Sequence, residues 1–389
     1  MNLKKIFSTL AVASMLVACG GNDTSSGNST FKIGVSGPLT GDNAVYGNAV
    51  KNAAELAVEE VNAKGGIQLE FKIEDDQADP EKSPTAYGTL KDWGMQIGLA
   101  TVTSGAGAAV SQNYADDTTF AITPSASSTT VIYSDADNTQ SYKYVYQMCF
   151  TDPNQGVASA DYLKNHTDLG SKVAVIYKSD DNYSTGIYQK FMDEAKKVGL
   201  DVVSETSFDN SSATDFNVQL KDAQSKGADI VYLPIYYQPA SLILTQANQM
   251  GYAPTFFGVD GMDGILTLDG FNTELAEGVY LLTPFSADAK DELTANFVKN
   301  YKERYGETPN QFAADAYDCI YAIYDALEAG KATPDMSNSD LADLLIKQFT
   351  SMTFDGITGS DVTWSESGEV SKSPKAVVIK DGAYVGVED

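Results

Sequence analysis

From residue 31 onward, short runs with strand patterning alternate with longer segments whose apolar residues recur at helical spacing. FKIGVSG (31–37) leads into YGNAVKNAAELAVEEVNAKGG, where Val50, Ala53, Ala57 and Val61 share one helical face and Gly65 ends the pattern. The series continues with LEFKIEDD (69–76), a helix opened by Asp79 and Pro80, MQIGLATVTSG (95–105), a small-residue helix from Ala106, FAITPSAS (120–127) and YKYVYQMCF (142–150). The same alternation then starts afresh with KVAVIYKSDD (172–181), a helix over 183–198, LDVVSETSF (200–208), a helix over 214–226 and ADIVYLPIYY (228–237). A helix over 239–250, PTFFGVDG (254–261) and GVYLLTPFS (278–286) complete it. Helices over 290–305, 312–329 and 339–349 follow, with β-type runs around DVTW and PKAVVIKDGAYVGV at the end. Two such series predict an α/β fold of two doubly wound parallel-sheet lobes.

The beginning of the chain has a different grammar. Lys4 and Lys5 precede an apolar run over 6–18, the make-up of a secretory leader and too short to span a bilayer. Leu16, Val17, Ala18 and Cys19 resemble a bacterial lipobox, which implies cleavage before Cys19 and acylation of its thiol. Two or more acyl chains on one residue suffice for stable anchoring. The Gly, Asn, Ser and Thr that follow offer no apolar face to bury, so 19–30 reads as the lipidated cysteine and a flexible tether. The expected product is extracytoplasmic and lipid-anchored to the bacterial cell membrane.

Composition narrows the chemistry. The formal charge is −27, and losing 1–18 removes two lysines and no acids, giving −29. So acidic a surface argues against nucleic acid or any other polyanionic partner. Cys149 and Cys319 have no metal-ligand spacing, and their pairing is open. The sole histidine, His166, reads as a solvated residue near a helix C-terminus, so a paired metal motif or a Ser/His triad has no basis. GAGAAV (105–110) carries Val110 where a dinucleotide fingerprint needs its third glycine. Asp75 and Asp76 end an alternating strand and read as a solvated turn rather than a catalytic pair. Neither an enzyme nor a cofactor is expected.

One resemblance covers nearly all of 31–389. FKIGVSGPLTGDNAVYGNAVKNAAELAVEEVNAKGGI, DDQADP, VTSG, TPSAS, YKSDDNYSTG, LPIYYQPA, FFGVDG, EGVY and NQFAADAYD occur in an order and spacing similar to the branched-chain amino acid binding lipoproteins of ABC importers. The resemblance implies a type I periplasmic binding protein fold with three hinge crossings, near 150–153, 283–286 and 354–359. The lobes are then 31–150 plus 285–355 and 151–284 plus 356–389. Its implied partners are a free amino acid, an ABC permease and the membrane through the lipid on Cys19, the receptor itself being a monomer.

The candidate site residues can be read physically. A free amino acid needs donors for its carboxylate and acceptors for its ammonium once water is gone. The lone arginine, Arg304, sits at the end of a surface-type helix. Ser104, Gly105 and the backbone around them instead lie at the carboxyl end of a strand where a helix begins, which makes a helix-terminus anion site or simply a serine cap. Asp260 follows the apolar strand FFGV and offers a carboxylate to the ammonium, although a turn aspartate before Gly261 has the same appearance. Opposite it the resemblance sets the turn Ser125, Ala126 and Ser127, with the Ser125 carbonyl and Ser127 hydroxyl as further acceptors. It also implies aromatic walls from Tyr46, Tyr183, Tyr236 and Phe312, and a glutamate where this chain has Asp260. A receptor of this fold for another small solute, whether another neutral amino acid, an amide or a sugar, and a sensory lipoprotein remain the alternatives.

Overall fold

The computed structural model describes residues 30–387. The leader, Cys19 and 19–29 of the tether therefore lie outside the described residues. A first α/β series comprises β1 (Phe31–Gly37), α1 (Ala44–Ala63), β2 (Leu69–Asp75), α2 (Ser83–Trp93), β3 (Ile97–Thr101), α3 (Ser104–Asp116), β4 (Ala121–Thr123) and β5 (Val145–Gln147). Its strands pair in parallel in the order β2-β1-β3-β4-β5.

The second series comprises α4 (Asp152–Asn165), β6 (Lys172–Lys178), α5 (Asn182–Val198), β7 (Asp201–Phe208), α6 (Asn217–Ser225) and β8 (Ile230–Leu233). It continues through α7 (Tyr237–Gln249), β9 (Thr255–Gly258) and β10 (Tyr280–Thr283). α8 (Glu292–Tyr305), α9 (Gln311–Gly330) and α10 (Asn338–Phe349) then return to the first lobe, where α9 packs on α1 and α10 on α9. β11 (Lys375–Lys380) and β12 (Ala383–Gly386) close the second sheet in the order β12-β11-β10-β9-β8-β6-β7. Among the described residues of that sheet only the β10–β11 and β11–β12 pairings are antiparallel, so β11 alone runs counter to the rest.

Central strands such as β3 and β8 are buried along their whole length, as parallel strands covered on both faces require. α9 is buried nearly all round, Asp315 and Asp318 included, because it lies between α1 and the rest of the first lobe's core. Glycine permits the closest approaches. A Cβ at Gly47 of α1 would stand 2.0 Å from the Pro38 carbonyl oxygen, and one at Gly156 of α4 would stand 2.5 Å from the Ile187 carbonyl oxygen on α5.

Several boundaries differ from the sequence reading for local reasons. α2 starts at Ser83 rather than near Asp79, because the Asp79 carboxylate accepts from the Glu81 N–H at 2.8 Å and holds a turn instead. DVTW forms isolated bridges, Phe354 with Val362 and Trp364 with Val370, rather than a strand. The Trp364 indole N–H donates to the Gln147 carbonyl at 2.8 Å, and the Gln147 N–H donates to the Gly368 carbonyl at 3.0 Å. That segment therefore stays with β5, and the third crossing falls between Val370 and β11, beyond the 354–359 stretch and the 355/356 boundary.

Buried charge marks this third crossing. The Lys372 ammonium donates to Asp315 at 2.7 Å and to the Thr358 hydroxyl at 2.6 Å, while Asp318 accepts from the Ile357 and Thr358 N–H groups. Lys372 and Asp315 side chains are 0% and 2% exposed. Asp76 is a correction to the solvated-turn reading: it is fully buried, and desolvation raises it to about 6. Cys149 and Cys319 are buried free thiols.

Candidate functional site

Segments just beyond the carboxyl ends of β3, β4, β8 and β9 meet around one cavity, the place where ligands of open α/β sheets bind. From the first lobe, β1 leads to α1 with Tyr46, β3 leads to Thr103 and Ser104, and β4 leads to Ser125. From the second, α5 supplies Tyr183, the turn before α7 supplies Tyr236, and β9 ends just before Asp260.

The lobes are closed on one another. The Tyr46 hydroxyl donates to the Gly261 carbonyl, the Tyr237 hydroxyl donates to the Asp42 carbonyl at 2.5 Å, and the Gln311 N–H donates to Asp263 at 2.8 Å. Tyr46 stacks on Phe312 at 4.1 Å between ring centres and meets Tyr236 edge-on at 5.5 Å. Tyr183 stacks on Tyr236 at 4.7 Å.

Two tyrosine hydroxyls, those of Tyr183 and Tyr236, lie within this closed region. The Tyr183 hydroxyl donates to Asp260 Oδ1 at 2.5 Å and accepts from the Gly261 N–H at 2.8 Å. The Tyr236 hydroxyl is a neighbour of the Ser104 N–H, whose hydrogen bond favours its ionised form but is outweighed by desolvation. The Asp260 carboxyl is 3% exposed and rises to about 7, chiefly through desolvation, against the hydrogen bonds from Tyr183 and Gln155. Around these groups is a cavity of only about 10 Å³, the scale of a single water.

Six of the ten sequence-derived residues line that cavity: Tyr46, Ser125, Tyr183, Tyr236, Asp260 and Phe312. Ser104 is the first residue of α3, and its hydroxyl accepts from the Ser128 N–H at 3.1 Å. The N-cap is Thr103, without a side-chain cap bond, so Ser104 does not fill the capping role. Gly105 opens instead onto a larger space of about 650 Å³ at the cleft mouth, bordered by Thr103, Asp181 and Tyr236. Ala126 is buried in the core, its N–H bound to the Thr123 hydroxyl and its carbonyl to the Gln147 side chain. Ser127 is fully buried, and its carbonyl accepts from the Asp152 N–H at 3.0 Å.

Asp152 was not among the residues singled out from sequence. It is 1% exposed, neither oxygen has a hydrogen bond of normal geometry, and desolvation pushes it well above the carboxylate range, with Ser127 and Ser128 opposing and Asp260 reinforcing the rise. Its place as the first residue of α4 reads in sequence as ordinary helix-start chemistry, which concealed a second carboxylate near Asp260. Gln155, one turn on, accepts weakly from the Asp260 N–H at 3.4 Å. Arg304 pairs with Glu59 on the outer surface, and His166 stacks on Tyr162 at 3.8 Å while its Nδ1 meets the Tyr162 carbonyl. Among the described residues no group of His, Cys, Asp and Glu could hold a metal ion.

Two α/β lobes closed over a pocket that carries a buried carboxylate have the architecture of a two-lobed solute-binding protein. The chain belongs to the periplasmic binding protein family, whose model matches residues 30–383 and whose members work outside the cytoplasm. A leucine-, isoleucine-, valine-, threonine- and alanine-binding protein of Pseudomonas aeruginosa is 25% identical over 339 residues, 86% of each chain. Leu/Ile/Val-binding protein homolog 3 of Brucella melitensis biotype 1 is 29% identical over 404 aligned positions, covering 100% of both. The crystal structure of the branched-chain amino acid transporter substrate-binding protein LivJ from Streptococcus pneumoniae, in complex with isoleucine, superposes with a TM-score of 0.80 at 26% identity, over 92% of this chain and 100% of that one.

Proposed function

We propose that the protein captures a free branched-chain amino acid, leucine, isoleucine or valine, between its lobes and delivers it to an ABC permease. The carrying observation is the buried Asp260 carboxylate, met by the Tyr183 hydroxyl at 2.5 Å in a pocket lined from both lobes. The ligand's ammonium replaces the Tyr183 hydroxyl on Asp260, with the Ser125 carbonyl and Ser127 hydroxyl completing its shell. Its carboxylate replaces the Tyr236 hydroxyl at the amide and hydroxyl of Ser104 and the amide of Gly105. Tyr46 and Phe312 then slide against the side chain instead of against each other. The P. aeruginosa, B. melitensis and S. pneumoniae proteins support the ligand class through what their names say they bind.

A receptor of this kind works as a monomer of two lobes, held at the membrane by the lipid on Cys19. The ligand favours closure through contacts to both lobes, added to the direct bonds that already join them. Thermal shift against the twenty amino acids and simple sugars tests the reading, because a ligand that binds only the native state raises the melting temperature. Leucine, isoleucine or valine should raise it, glutamate should not, and Asp260→Ala should abolish the shift. A shift with sugars alone, or a leucine shift unchanged in Asp260→Ala, contradicts the proposal.

A further inference from the structure

α9 carries a polar stripe that makes no contact with the Asp260 pocket. Gln311, Asp315 and Asp318 fall on one face of the helix, and all three are buried. The chain passes between the lobes along this stripe. At the second crossing the Thr283 hydroxyl, at the end of β10, donates to Gln311 Oε1 at 3.1 Å. At the third, the Lys372 ammonium donates to Asp315 Oδ1 at 2.7 Å and to Thr358 Oγ1 at 2.6 Å, and the Thr358 hydroxyl donates onward to Asp318 Oδ2 at 2.5 Å. Cys149, just before the first crossing, is close enough to Asp315 and Lys372 for both charges to act on its thiol. Next to Gln311 is Phe312, whose ring lines the Asp260 pocket and stacks on Tyr46. One helix therefore joins the crossings to the pocket.

Lys372 also limits how much of the third crossing is free. Ser371 still belongs with the first lobe, its N–H donating to the Thr363 carbonyl at 2.9 Å, whereas Lys375 opens β11 opposite Thr283 in the second. With the Lys372 side chain fixed on α9, only Ser373 and Pro374 span the gap.

We propose that Lys372 is a positioning residue for ligand capture: pinned between Asp315 and Thr358, it confines the turn of the third crossing to Ser373 and Pro374 and so brings Asp260 into register with Phe312 as the lobes close. A buried ion pair is often no more stabilising than apolar side chains of the same volume, so stability alone is a weak reason for a lysine here. A charge shared between two directional acceptors does fix geometry. The effect on leucine rests on the amino acid reading of the cleft; the effect on the lobes does not.

Nitroxide labels on Glu81→Cys and Asn210→Cys, exposed positions on either side of the cleft mouth, report the distance between the lobes by double electron–electron resonance. Cys149 and Cys319 are buried, and Cys19→Ser removes the remaining thiol. With Lys372 in place the distribution should be narrow, and Lys372→Met should broaden it. Because that change alone leaves Asp315 buried without its partner, Lys372→Met is combined with Asp315→Leu, an apolar pair that should restore the melting temperature while the breadth remains. Thr358→Val, which removes the hydroxyl between Lys372 and Asp318 and keeps the ion pair, should broaden the distribution in part. In the double variant leucine should dissociate about tenfold faster, with association little altered. A distribution as narrow as the parent's in both the double variant and Thr358→Val, or leucine dissociation at the parental rate in both, overturns the proposal. So does breadth that disappears together with the loss of melting temperature, which would leave Lys372 a role in stability alone. Failure of the parent to bind leucine would instead fall on the cleft reading and leave the distance measurement to decide on Lys372.

Discussion

At the residue scale, the chemistry centres on carboxylates held in a dry interior and on the hydroxyls that stand in for ligand. Tyr183 is the sharpest case, since its hydroxyl bonds Asp260 at 2.5 Å in the closed form without ligand. Tyr183→Phe leaves that buried carboxylate short of a donor, costing about 1–3 kcal/mol of ligand-free stability. The leucine-bound protein should lose less, so the melting-temperature gain on adding leucine should be larger in the variant than in the parent. An equal gain in both would show that the hydroxyl does not hold the ligand's place.

Asp260 also sets a pH signature. Desolvation raises it to about 7, and raises Asp76, Asp263 and Asp315 to about 6 each. The folded, ligand-free protein therefore keeps protons on these groups that the unfolded chain releases near pH 4. Their contribution to stability is fully present below the unfolded value and is lost as pH rises through 6 to 7. A ligand ammonium ionises Asp260, so leucine should bind more tightly at pH 8 than at pH 5.5, with proton release at pH 6. Titration calorimetry in buffers of differing ionisation enthalpy measures that release; identical heats in all of them would contradict it.

At the scale of elements, periodicity locates nearly every strand and helix because the central strands are buried along their length and most helices bury one face. It failed where polar residues do local work. Asp79 holds a turn rather than opening α2, and DVTW is tied down through the Trp364 indole rather than through a strand ladder. Of the six expected residues that line the cavity, Asp260 is legible from its place after a strand and the others only through the family resemblance, whereas Asp152 is hidden in a pattern that also begins ordinary helices. The packing glycines give an element-scale check. Gly156→Ala would set a methyl 2.5 Å from the Ile187 carbonyl oxygen and 2.7 Å from the Phe191 nitrogen, backbone atoms that cannot rotate away. Parting of α4 and α5 should cost about 2–3 kcal/mol, read as a lower denaturation midpoint, with leucine affinity little altered. A midpoint at the parental value would show that the two helices are not in contact at this point.

Across the whole molecule, two sheets made by one repeated α/β pattern are joined by three crossings, and the site exists only where their strand ends meet. Sequence order could not show that 362–370 remains beside β5, since that depends on the Gln147 and Gly368 backbone pairing across the fold. Nor could it show that the third crossing is fastened by Lys372 between Asp315 and Thr358, an arrangement in which loss of the lysine would leave carboxylates buried and unpaired. With both lobes lining the pocket, a ligand held by Asp260 would favour the closed form through contacts to both. Titration calorimetry of leucine against 4-methylpentanoate, which lacks only the ammonium, tests this directly in the native and Asp260→Ala proteins. Leucine should bind the native protein alone, and 4-methylpentanoate neither; equal binding of the two compounds, or of leucine to both proteins, would contradict an ammonium held by Asp260.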